Sequence, residues 1–144
     1  MGGFFGGFRI FHYYMNKEEY VKYWVDAADL DYRAMKNLFL SGDYVWSLFI
    51  GHLVVEKIIK AIAVKNDAKD VPKIHDLNKL SRSTGLSVDD KLSDLFDIIT
   101  SFNIETRYPD YKKEFYKKCN LEFASEQNNK INELRIWLLD QLNR

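Results

Sequence analysis

The sequence predicts an all-α fold, an up-and-down bundle of four to five helices, and three observations carry that expectation. Apolar residues recur at three- and four-residue steps from Asn16 onward, and no segment follows the two-residue period of a half-buried strand. Polar breaks containing Gly or Pro divide the chain into segments of helical length. One segment, residues 43–64 (DYVWSLFIGHLVVEKIIKAIAV), is apolar almost all the way round. A surface helix needs only one apolar stripe, so this one is expected at the centre of the bundle, packed on several sides.

The first helix starts at Asn16, a good N-cap, with Glu18 and Glu19 suited to the positive end of the helix dipole. Tyr20, Trp24, Ala27 or Ala28, Asp31, Met35, Leu38 and Phe39 recur along it to Leu40. Ser41-Gly42-Asp43 then stops one helix and starts the next, Gly42 as the C-terminal stop and Asp43 as the N-cap. So short a connection makes the two helices antiparallel neighbours. The second helix runs to about Lys65. A polar loop with Pro72 covers Asn66 to Lys73, a short helical segment Ile74 to Leu80, and a break Ser83-Thr84-Gly85. A third long helix is expected over Val88 to Phe102, on Leu92, Leu95, Phe96, Ile98, Ile99 and Phe102. Pro109 turns the chain between Asn103 and Tyr111. The last helix covers Leu121 to Leu142, with Leu121, Ala124, Asn128, Ile131, Leu134, Leu138 and Leu142 on one face.

With 144 residues, 47% of them hydrophobic, the chain fits one domain with a sizeable core. Lys plus Arg and Asp plus Glu are 21 each, a balance that argues against a protein whose main task is wrapping duplex DNA but leaves room for a local basic patch. The single cysteine, Cys119, excludes an internal disulfide and a cysteine-rich zinc site; it suits a reducing cytosol and reads as a small half-buried hydrophobe. No apolar run reaches membrane-spanning length, because Gly51, His52 and Glu56-Lys57 interrupt the best candidate. A cytoplasmic protein is expected. Residues 1–15, rich in Gly and Phe, form an N-terminal extension ahead of a helical domain over 16–144, with Met15 as an alternative start.

On the second helix His52, Glu56 and Lys60 follow at four-residue steps and so form one polar row along an otherwise apolar rod. Buried ionisable groups are costly unless paired, so this row is expected to face a cleft, a partner or a second subunit. His52 and Glu56, with His75, have the chemistry of metal ligands. Lys57 and Lys60 would repel a cation there, so a hydrogen-bonded core or interface network is expected and no metal or cofactor.

The ordered set of WVDAADL from Trp24, SGDY from Ser41, HLVVEKIIKA from His52, PKIHDLNKL from Pro72 and TRYPD from Thr106 resembles the HEPN domain (higher eukaryotes and prokaryotes nucleotide-binding). The resemblance spans about Lys17 to Leu142. It implies a helical bundle, a homodimer, and pairing with a minimal nucleotidyltransferase in a toxin–antitoxin setting. Many HEPN proteins are metal-independent ribonucleases carrying an Arg and a His with four to six residues between them. Here the spacing after Arg107 falls on Lys112, Lys113 and Glu114, and Arg33 and Arg82 also lack a suitably placed His. The nuclease pair is missing, and no catalytic residue is assigned.

What remains is the stretch from Arg107 to Lys118, with five positive residues and two negative, interleaved with Tyr108, Tyr111, Phe115 and Tyr116. Cations beside aromatic faces suit a nucleotide, where phosphate meets charge and base meets ring. Charge runs are also common on plain solvated faces, and the tyrosines around Pro109 can simply lock a turn. Arg107 is favoured for anion contact because a guanidinium grips phosphate through two parallel bonds. The expected nucleotide-binding residues are Arg107, Tyr108, Asp110, Lys112 and Lys113, with His52, Glu56 and Lys60 lining a polar groove or interface. The function expected is thus a non-catalytic nucleotide-binding and protein-interaction module, its ligand a nucleotide or RNA. Two other readings stand beside it: a ribonuclease whose acid–base group is His52 or His75, and a purely structural dimerisation domain.

Overall fold

The computed structural model describes residues 15–68 and 71–144, and the N-terminal extension expected over residues 1–15 lies, apart from Met15, outside them. Among the described residues six helices follow in order: α1 (Lys17–Leu40), α2 (Tyr44–Lys65), α3 (Leu77–Ser81), α4 (Asp90–Arg107), α5 (Pro109–Lys118) and α6 (Leu121–Leu142). No strand occurs among the described residues.

Local chemistry sets most of the boundaries. The Asn16 side chain accepts from the Glu19 amide at 2.8 Å, and Asn120 caps α6 in the same way through Phe123. Gly42 takes φ +85°, the left-handed turn that glycine reaches without a side-chain clash, and so releases the chain from α1. Asp43 does not cap α2 with its side chain. Its carboxylate instead accepts from the Ser41 hydroxyl at 2.9 Å, which steadies the turn. The short helix begins at Leu77, later than expected, because the Asp76 carboxylate caps it through the Lys79 amide at 3.0 Å.

Helix α2 is the hub. It packs against α1, α6, α4 and α3, and from Val45 to Val64 it is buried on every side except the stripe of Trp46, Ile50, Leu53 and Lys57. Gly51 makes the closest crossing possible: an added Cβ would lie 2.6 Å from Ile131 Cδ1 and 3.1 Å from Met35 Sδ. Neighbouring helices contribute Tyr20, Trp24, Ala28 and Met35 from α1, Phe96, Ile99 and Phe102 from α4, and Ile131, Leu134 and Leu138 from α6.

Around Pro109 the chain departs from the expected turn. Asn103–Arg107 continues α4, and the stretch after Pro109 is a separate helix rather than a plain turn. Pro109 stands at the first position of α5, where its missing N–H costs nothing. Phe115 stacks on Phe102 with centroids 5.7 Å apart, which pins α5 to α4. Leu121 and Ile98, expected on buried faces, are exposed. Cys119, expected half-buried, is buried, and burial pushes the pKa of its thiol up to about 12. No helix among the described residues is long and apolar enough to cross a membrane.

Candidate functional site

The polar row on α2 lies inside the protein: His52, Glu56 and Lys60 are 0%, 3% and 8% exposed. The structure thus encloses the row rather than setting it along an open groove, and its partners come from within the chain. Lys60 Nζ donates to Glu56 Oε2 at 3.1 Å and lies 5.1 Å from the Trp24 ring centroid. His75, from the loop before α3, donates from Nδ1 to Glu56 Oε1 at 2.7 Å. His52 donates from Nε2 to the His75 carbonyl at 2.7 Å, which leaves its Nδ1 to accept a longer contact, 3.4 Å, from the Asn103 amide on α4. These partners require His52 neutral with its proton on Nε2. Burial holds its pKa below the ordinary 6.5, against the opposing pull of the His75 carbonyl and Glu56.

The outcome is a paired carboxylate and ammonium, a neutral buried imidazole and one surface imidazole. His75 alone brings the network to solvent, its side chain 52% exposed. Among the described residues no group of three His, Cys, Asp or Glu is arranged to hold a metal ion.

The residues expected to meet a nucleotide lie elsewhere, on the surface where α4 passes into α5. Arg107, Tyr108, Asp110 and Lys113 are exposed and Lys112 is half-buried. The Arg107 guanidinium stands 5.7 Å from the Tyr108 ring centroid. Lys112 Nζ reaches 4.9 Å from the centroid of Trp46, in the first turn of α2, and 5.9 Å from that of Tyr116. This face joins cations to aromatic rings that each keep a surface open, since Trp46, Tyr108, Tyr111 and Tyr116 are all exposed. A groove of about 260 Å³ lies on another side, lined by Tyr32, Met35, Lys36 and Phe39 of α1 and by Ser125, Asn128 and Asn132 of α6. None of the expected site residues lines it.

Two members of these clusters are not among the residues expected from the sequence. Trp46 was counted as core because α2 is apolar all round; its place in the first turn, only three residues after the inter-helix turn, was the signal that it could reach the end of the bundle. Asn103 was assigned to a turn. The spacing Phe96, Ile99, Asn103, Thr106 continues the buried face of α4 and would have placed an amide inside.

No curated protein and no solved structure matches this chain. The sequence profile of the HEPN domain matches residues 21–140, which takes in α2 with its polar row, the His75 loop and the cation–aromatic face. The all-α bundle agrees with that fold, and the chain belongs to the HEPN domain family.

Proposed function

We propose that the chain is a non-catalytic module that binds a nucleotide on the α4–α5 face and engages protein partners. One observation supports this most directly: Lys112 lies over the Trp46 ring at 4.9 Å and sets a cation of α5 against an exposed indole of α2. The arrangement offers ammonium and guanidinium groups to phosphate and open ring faces to a base. Arg107 is the principal phosphate contact, and Tyr108 and Trp46 are the stacking surfaces. Membership of the HEPN family is the ground for proposing a homodimer in a toxin–antitoxin setting with a minimal nucleotidyltransferase as partner.

Calorimetric titration of ATP and GTP tests the reading, with Arg107→Ala and Lys112→Ala as controls. Binding weakened by either variant supports it, and silence at millimolar nucleotide points to a structural dimerisation domain. The nuclease reading lacks the Arg–His spacing, and His52 is too deeply enclosed to touch RNA. Arginine-dependent cleavage of labelled RNA would nonetheless favour it.

A further inference from the structure

We propose that His75 is a phosphoryl-acceptor site, modified at Nε2 by a small high-energy donor of the phosphoramidate or acyl phosphate class. This does not rest on the nucleotide-binding reading, because it concerns different residues and a different chemistry.

The geometry defines which nitrogen reacts. Glu56 Oε1, 2.7 Å from Nδ1, fixes the proton there, so Nε2 carries the lone pair. The ring is 52% exposed, and no hydrogen bond to Nε2 comes from the described residues. Everything behind the ring holds it in place. Lys60 fixes the second oxygen of Glu56 at 3.1 Å, and His52 clamps the His75 carbonyl at 2.7 Å. The Asp76 carboxylate, next in the chain, is engaged by the Lys79 amide at 3.0 Å.

That support is costly. A buried Glu–Lys pair seldom adds stability over apolar side chains of the same size. Here such a pair, and a buried histidine, converge on one surface imidazole. Leucines at these positions would fill the same space but could not hold a surface imidazole in one orientation. An oriented nucleophile needs this set, because a carboxylate on Nδ1 stabilises the positive charge that develops on the ring as Nε2 attacks.

Phosphoramidate, its nitrogen carrying three hydrogens at neutral pH, is one such donor. The Nε2 lone pair forms an N–P bond, the donor's P–N bond breaks, and ammonia leaves with that electron pair. Nδ1 keeps its proton, and the ring's single positive charge faces Glu56. Nothing is oxidised or reduced.

The test is incubation of the whole chain with phosphoramidate at neutral pH, followed by ³¹P NMR and mass-spectrometric site mapping, with the urea-unfolded chain as reference. The folded chain is expected to take one phosphoryl group on Nε2 of His75, about tenfold faster than the unfolded chain. Glu56→Gln should remove the enhancement, and His75→Gln the modification at that site. A rate at His75 no faster folded than unfolded, attachment at Nδ1, or an undiminished rate in folded Glu56→Gln would each overturn the proposal. The folded-against-unfolded comparison needs no variant, so it decides alone if Glu56→Gln does not fold.

Discussion

Nδ1 of His75 stands 2.7 Å from Oε1 of Glu56, so a half-exposed loop imidazole is tied to a carboxylate enclosed in the middle of α2. That contact is where the interior polar row meets the surface. It also fastens the segment between α2 and α3 to the hub, together with the bond from His52 to the His75 carbonyl.

Removing the carboxylate alone leaves Lys60 without its partner inside the protein. Glu56→Ala is expected to lose about 3–5 kcal/mol of stability. The double variant Glu56→Leu with Lys60→Leu removes both charges and should recover most of that loss. Urea midpoints of the three proteins check this, and a double variant as weak as the single one would mean that the charges themselves hold the fold.

The pH dependence follows from His52. Its folded pKa lies below the ordinary 6.5, so below that value the unfolded chain binds a proton that the folded chain refuses. Stability from this group is present above 6.5 and is lost as pH falls toward the folded pKa, with a slope of at most about 1.4 kcal/mol per pH unit. His52→Gln should flatten the profile of urea midpoint against pH between about pH 7 and about pH 5. An unchanged slope in the variant would assign the effect to another group.

At Gly51 the crossing of α2 with α1 and α6 gives a graded expectation. Gly51→Ala meets the mobile end of Ile131, and a helix-propensity gain of about 1 kcal/mol offsets the crowding. Gly51→Leu has no such room and should cost about 1–3 kcal/mol through overpacking. Thermal unfolding of the two variants separates the outcomes; a tolerated leucine would mean that the crossing is looser than the contacts to Ile131 and Met35 imply.

The caps supply a contrast between two residues of the same apparent role. Asn120→Ala loses a side-chain bond to the Phe123 amide and should cost about 1 kcal/mol. Asp43 makes no such bond to α2, so Asp43→Ala should cost less, about 0.5 kcal/mol or below. Paired urea titrations decide it.

The helical bundle was legible because its signals are local. Four-residue spacing along α2, Gly42 and Asn16 at helix ends, and the apolar face of α6 each depend on a few neighbouring residues. What was hidden depends on contacts distant in sequence. Whether His52, Glu56 and Lys60 face outward or inward was decided by His75 and Asn103, which arrive from the α3 loop and from α4. Pro109 was read as a turn, whereas a proline at the first helical position starts a helix as readily as it ends one. The cations after Arg107 are visible in the sequence; the contact of Lys112 with Trp46, from the first turn of α2, is not.

The most direct test of the nucleotide-binding claim uses the three tryptophans, Trp24, Trp46 and Trp137, as reporters in one NMR titration with ATP. The Trp46 indole is predicted to shift with saturation, together with Tyr108, while the Trp137 indole on α6 stays where it is. Shifts centred on Trp137, or no shift at Trp46 at saturating nucleotide, would contradict binding on the α4–α5 face.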